Sequence, residues 1–281
     1  MKEVKRRIVV DSSADPAAWA GEDIGRATLK IITADKEYID DAELDVMAMV
    51  SDLADYKGKS STACPGMDDW ESQFEDADEV FCVAITSGLS GSCNAARNAC
   101  LNYEAHHLGR KAMVVDSLSA GPELRLIVEK LRELIAVGKT FDEIKTEIVE
   151  YQKHTGLLFM LESMRNLANN GRVSPLVAKL AGVLGIRVVG KASDQGTLEP
   201  LEKPRGAQKA LAALMTRLKE LGYGGGKIHI AHCFNSTAAK ELKNRILAVF
   251  PDAPIEIYRL GGLCSLYAEK GGLLVGFEKK I

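Results

Sequence analysis

Glu79-Val80-Phe81-Cys82-Val83-Ala84-Ile85-Thr86-Ser87-Gly88-Leu89-Ser90-Gly91-Ser92 carries a short apolar run straight into a turn of serines and glycines, and from there into a helix that begins near Ser92 to Asn94. An uninterrupted apolar stretch of this length, closed by turn residues, reads as a buried strand. Ile8-Val9-Val10-Asp11-Ser12-Ser13 and Val114-Val115-Asp116-Ser117-Leu118-Ser119 repeat the pattern. In a parallel α/β sheet all strand C-termini lie along one edge. The hydroxyls and helix N-termini at these turns therefore converge on one crevice, where such folds bind ligands.

Working outward, strands are expected over 7–10, 27–32, 79–85 and 111–115, each rich in β-branched residues. Helical spacing of apolar residues covers 45–56 and 123–137. A further helix follows at 141–153, with Thr140 as its N-cap and Glu143 completing a capping box. Strands alternating with helices imply right-handed βαβ units. Residues 1–154 are expected to form a three-layer α/β/α domain with a mostly parallel sheet. After His154 the pattern changes. A strand at 157–161 and a helix at 164–169, ended by Asn170-Gly171, lead to an apolar helix at 175–184. A hairpin, 186–191 and 198–202, then turns at Asp194-Gln195-Gly196. Helices at 207–221 and 237–250 follow, with strands at 227–232, 255–260 and 273–279. Residues 155–281 thus read as a second α/β domain with a mixed sheet.

The 281 residues are 46% hydrophobic and 27% charged with a net charge of −3, values of a soluble globular chain, and they carry no basic footprint for nucleic acid. The start is basic, but only Ile8 to Val10 follow before Asp11. That is too short for a signal-peptide core, and no apolar run approaches the roughly 20 residues that span a bilayer. A cytoplasmic protein is expected. The cysteines at 64, 82, 93, 100, 233 and 264 are spread without close pairs, as reduced, mostly buried thiols would be.

The Ser87–Ser92 turn has two readings. Its glycines let backbone amides approach a ligand and its helix favours an anion, or it is an ordinary N-cap. A hydrolase elbow is broken, because Ser92 occupies the place of the second glycine around Ser90. Thr62, in the small-residue loop Ser61-Thr62-Ala63-Cys64-Pro65-Gly66, either donates to the same anion or caps a turn. Arg172 and Arg205 stand at element ends, where a guanidinium fork suits a carboxylate or phosphate, or simply faces solvent. Gly222-Tyr223-Gly224-Gly225-Gly226-Lys227 fails as a phosphate loop. With no Cys-x-x-Cys and no usefully spaced histidines, no metal is expected.

In this order the motifs resemble the DegV family of bacterial lipid-binding proteins. The resemblance spans the chain: Val10 to Asp15, Thr62 to Gly66, Thr86 to Ser92, Val115 to Ser117, Gly171 to Ser174, and Pro200 to Gly206. It implies two α/β domains holding one long-chain fatty acid between them. The positions of Thr62 and Ser90 match the residues that hydrogen-bond the carboxylate. Ser87, Gly88, Gly91, Arg172, Arg205 and Tyr267 would lie near the head group. Such proteins are carriers rather than catalysts, need no cofactor beyond the lipid, and some present the acyl chain to a separate fatty acid kinase for phospholipid synthesis.

Two departures stand out. The family's Thr-Ser-x-Pro-Ser loop reads Thr62-Ala63-Cys64-Pro65-Gly66, keeping only the threonine hydroxyl. Tyr267 stands, by spacing, where many members have a histidine, and a phenol cannot carry a proton near neutral pH as imidazole does. Lipid binding is thus expected to survive better than kinase partnership. An enzyme of phosphoryl or acyl transfer using the same serine-rich crevice is the alternative from a different class.

Overall fold

In the computed structural model, which describes residues 4–15, 23–178 and 185–280, the first half of the chain runs β1 (Arg6–Asp11), a 3-10 turn (Ser12–Ala14), β2 (Gly25–Ala27), β3 (Lys30–Ile32), β4 (Glu37–Ile39), α1 (Val46–Asp55), β5 (Ser61–Ala63), α2 (Met67–Glu71), β6 (Glu79–Ala84), α3 (Ser92–His106), β7 (Lys111–Asp116), α4 (Pro122–Ala136) and α5 (Phe141–Lys153). The second half continues with β8 (Thr155–Leu161), α6 (Arg165–Asn169), α7 (Pro175–Ala178), β9 (Val188–Ala192), β10 (Leu198–Glu202), α8 (Ala207–Glu220), β11 (Tyr223–His232), α9 (Ser236–Leu247), β12 (Ile255–Arg259), α10 (Gly262–Ala268) and β13 (Leu273–Lys279).

Strands β2-β1-β6-β7 form an all-parallel sheet. Alternation along β6 sends Phe81 and Val83 into one core with Ile8, Val10 and Leu124. Val80, Cys82 and Ala84 enter another with Trp70, Phe74 and Ala96. A sheet covered on both faces needs apolar residues at every position, which is why the 80–85 run is unbroken. Helices α4 and α5 pack on one face, α2 and α3 on the other, giving the expected three layers. Thr140 and Glu143 make the expected capping box on α5.

The second sheet, β10-β9-β8-β13-β11-β12, is mixed: β11 and β12 are parallel and the remaining pairs antiparallel. Helices α8 and α9 bury Leu211, Leu214, Leu242 and Ile246 against one face. Helix α4 serves both halves, since Leu124, Ile127 and Leu131 face the parallel sheet while its first turn lies on β13. A Cβ at Gly276 would fall 2.5 Å from the Glu123 nitrogen and the Pro122 carbonyl carbon, so the helix start can approach this strand only over a glycine. An ion-pair network closes the same seam. Arg125 meets Glu129 at 3.3 Å and Glu256 at 2.9 Å, Lys227 meets Glu129 at 3.1 Å, and His229 Nε2 lies 3.1 Å from Glu129.

Two sequence expectations change. The single strand at 27–32 is two strands in different sheets, divided at Thr28-Leu29. There the Ser12 hydroxyl accepts from the Leu29 nitrogen at 2.8 Å and donates to the Asp40 carbonyl at 2.8 Å, diverting the chain. The loop at 61–66 begins with a strand instead, because Ser61–Ala63 pairs antiparallel with β3 in a small sheet, β4-β3-β5. Of the helix expected at 175–184, the part beyond residue 178 lies outside the described residues. No described helix is long and apolar enough to cross a membrane.

Candidate functional site

The strand-end aspartates turn inward and organise the turns. Asp11, buried at the end of β1, accepts from the nitrogens of Ser13 at 3.1 Å and Ile85 at 2.9 Å and from the Ser92 hydroxyl at 2.7 Å. Burial pushes its carboxyl above the ordinary value, and these hydrogen bonds oppose the rise. Asp116 accepts from the Ser87 nitrogen at 3.1 Å and the Leu118 nitrogen at 3.3 Å, and meets Arg97 at 3.1 Å. Burial alone would raise this carboxyl, but its donors and Arg97 outweigh burial and hold it below the usual range. The Ser12 hydroxyl is committed to Leu29 and Asp40. That of Ser117 is committed to the backbone of Ser119, donating to its carbonyl at 3.0 Å and accepting from its nitrogen at 3.1 Å. These serines fix the turns rather than face a ligand.

Beside the turns lies a largely apolar cavity holding about 810 Å³ of space between atoms, its open mouth included. Leu29, Ile85 and Leu89 line it from the first half of the chain; Leu157, Phe159, Leu161, Leu198 and Leu274 line it from one face of the mixed sheet. Alternation explains the second set. Residues 157, 159 and 161 point to the cavity, while Leu158 and Met160 join the core under α8 and α9.

Thr62, Ser90, Arg172 and Tyr267 also line this cavity. The Thr62 and Tyr267 hydroxyls lie 3.0 Å apart. The Ser90 hydroxyl accepts from the Ser92 nitrogen at 3.2 Å, which leaves its own O–H to donate. Arg172 donates from Nε to the Leu89 carbonyl at 3.2 Å and from Nη1 to the Asn170 carbonyl, so the guanidinium rests against the serine turn. Three hydroxyls and a cation at the wall of an apolar cavity can receive one carboxylate and leave its hydrocarbon among leucines.

The other sequence candidates sit elsewhere. Ser87, Gly88 and Gly91 share the turn with Ser90 but do not line the cavity. Ser87 is exposed, Gly91 caps α3, and a Cβ at Gly88 would lie 2.8 Å from the Gln195 carbonyl oxygen. Arg205 is exposed on the connection from β10 to α8, outside the lining.

Sequence reasoning missed three features. Gly196, at the tip of the hairpin, has φ +69°, and a Cβ there would sit 1.9 Å from Thr86 Oγ1, so the β9–β10 turn closes directly on the serine turn. The glycine in Asp194-Gln195-Gly196 was the only signal. The second feature is a pair of buried carboxylates. Asp15 accepts from the Gly261 nitrogen at 2.8 Å; Asp40 accepts from Gly262 at 2.8 Å and Leu263 at 2.7 Å. Together they hold the start of α10, which carries Leu263 and Tyr267 to the cavity. Burial pushes both carboxyls up to about 7, with the backbone donors opposing. Third, Glu129, His229 and Glu256 bring ligand atoms within 4.8 Å of one another, which their sequence spacing conceals. Arg125 and Lys227 already neutralise these carboxylates, and the set is better explained as the ion-pair seam of α4 than as a metal centre.

Residues 5–280 match a family model described as "Uncharacterised protein, DegV family". A DegV domain-containing protein of Streptococcus pneumoniae is 43% identical over 276 residues, 97% of this chain and 98% of the relative. Among solved structures, a DegV family protein of Eubacterium eligens loaded with heptadecanoic acid superposes with a TM-score of 0.95 at 43% identity, covering 98% of this chain and 100% of that one. The Streptococcus pneumoniae Fatty Acid Kinase B3 protein loaded with linoleic acid gives 0.95 at 42% identity, with the same coverage. With the family model matching nearly its whole length and relatives this similar, the chain belongs to the DegV family.

Proposed function

We propose that this protein binds one long-chain fatty acid, its carboxylate held by Thr62 and Ser90 with Arg172 and Tyr267 close by, and presents it to a separate fatty acid kinase. The observation that carries this reading is the make-up of the cavity, whose lining is largely aliphatic with one phenylalanine while Thr62, Ser90, Arg172 and Tyr267, beside Thr86, Ser119 and Thr197, bring polar atoms to it from separate elements. Each buried CH₂ contributes about 0.8 kcal/mol, so the acyl chain supplies affinity and the hydroxyls fix orientation. A buried carboxylate without such donors would take up a proton or fail to bind.

Similarity to solved family members loaded with fatty acids supports the ligand class. Similarity to the kinase-system B3 protein supports the partner, despite Tyr267 in the place of the family histidine. The phenol then serves as a hydrogen-bonding hydroxyl paired with that of Thr62. The protein acts as a cytoplasmic carrier that needs no cofactor. Its division falls at 154/155, between α5, packed on the parallel sheet, and β8, the first strand of the mixed one.

Native mass spectrometry of protein purified from bacteria should show the added mass of one fatty acid. Acyl phosphate should form from that protein and ATP only when a fatty acid kinase is added. Well-folded protein consistently free of lipid would overturn the binding reading, and acyl phosphate made by the isolated chain would overturn the carrier reading.

A further inference from the structure

Two glycines of the mixed sheet stand directly across from phenylalanines on the neighbouring strand: Gly156 from Phe277, and Gly190 from Phe159. In both pairs the ring lies over the glycine. A Cβ at 156 would be 2.8 Å from Phe277 Cζ, and one at 190 would be 2.3 Å from Phe159 Cζ and 2.7 Å from its Cε2. A glycine inside a strand weakens it and marks a place where something approaches closely; here the visitor is an aromatic ring.

The two pairs differ in what lies above them. Phe277 belongs to the core beneath α8 and α9, where the space over the sheet is filled by side chains. Phe159 is fully buried and lines the cavity. A side chain at 190 would lift its ring off β9 and into the cavity, because the glycine is the space the ring now occupies. We propose that the Gly190–Phe159 pair sets the bore of the cavity and thereby which acyl chains the protein accepts, an inference that rests on the fatty acid reading above.

The test uses the full-length protein offered a mixture of fatty acids of graded chain length, with bound acids identified after extraction and folding followed by thermal unfolding. Phe159→Leu widens the bore and moves the ratio of long to short bound acids by at least about tenfold, the discrimination an apolar pocket makes for a single methylene. Gly190→Ala drives the ring into the bore and moves the ratio the other way. A Cβ at 190 would also approach the Glu199 carbonyl oxygen, at 2.5 Å, so the double variant separates the causes. Phe159→Leu restores long-chain binding to Gly190→Ala if the ring is responsible, and fails to do so if hairpin strain is. Gly156→Ala, the same pairing away from the cavity, lowers stability and leaves the chain-length ratio unchanged. A folded, lipid-loaded Phe159→Leu protein with the wild-type ratio overturns the inference while the binding reading stands. Wild-type protein that takes up no fatty acid overturns the binding reading itself.

Discussion

The wall and the rim of the cavity are built by different rules. One side of the wall is a single face of one sheet: Leu157, Phe159 and Leu161 on β8, Ala192 on β9, Leu198 on β10 and Leu274 on β13 follow from strand alternation and antiparallel register. The rim is assembled from four unrelated places. Thr62 comes from an edge strand of the small sheet, Ser90 from the turn after β6, Arg172 from the segment after α6, and Tyr267 from α10. Thr62 and Tyr267 touch although 205 residues separate them in sequence. A wall made by periodicity tolerates another apolar side chain of similar volume, whereas a rim made by convergence depends on every element that aims a hydroxyl.

The comparison breaks most severely if the wall admits a charge. Leu157→Asp buries a carboxylate with no partner, and a loss of more than about 4 kcal/mol in stability is expected, together with loss of co-purified lipid. Urea unfolding and native mass spectrometry check both, and near-normal stability would mean that this part of the wall is wet.

A smaller effect is expected at the rim. Each charge-assisted hydrogen bond contributes about 1.5–3 kcal/mol, so Thr62→Val with Ser90→Ala should weaken fatty acid affinity by a few kcal/mol at most and leave the unfolding transition nearly in place. Unchanged affinity in a competition assay would remove both residues from the carboxylate site.

Next comes the anchor behind the rim. Asp40→Asn keeps one acceptor for the start of α10 but sets an amide N–H₂ against a backbone N–H, costing about 1–3 kcal/mol. The folded-state carboxyl is raised to about 7, above an unfolded value near 3.9. The folded chain therefore holds more protons between those values. The stability this group contributes is fully present below about 3.9 and declines as pH rises through 7. The stability gap between wild type and Asp40→Asn should accordingly shrink between pH 5 and pH 8 when urea midpoints are compared; a gap that widens would mean that the backbone donors dominate burial.

Smallest of all is Arg205→Ala. With the guanidinium exposed and outside the lining, lipid affinity and stability should change by less than about 0.5 kcal/mol. If the arginine serves presentation instead, acyl phosphate formation with an added kinase falls while lipid affinity holds. A marked loss of lipid affinity would place Arg205 at the rim in solution.

The strand at 157–161 was legible in the chain, but not which of its faces lines the cavity, because all five of its residues are apolar and alternation shows only once the sheet's two sides are known. The rim was legible only in part. Thr62 and Ser90 stood out through their motifs. Nothing local said that Ser61–Ala63 is a strand, since its partner β3 lies some thirty residues earlier and its own length is only three residues. Asp15 and Asp40 were invisible as anchors for the same reason, as an aspartate in a turn reads as a turn residue until the backbone it caps, more than 200 positions away, is known.

By itself the sequence determined the layers. Unbroken apolar runs demand a sheet covered on both faces, helical periodicity supplies the covers, and serine-glycine turns at the strand ends mark the edge beside which the cavity lies. The tertiary structure alone decided which hydroxyls meet, how α10 is held, and where the cavity is wide. Those outcomes depend on atoms brought together across the whole chain, and on the missing side chain of Gly190, which has meaning only once the ring of Phe159 is seen to occupy its place.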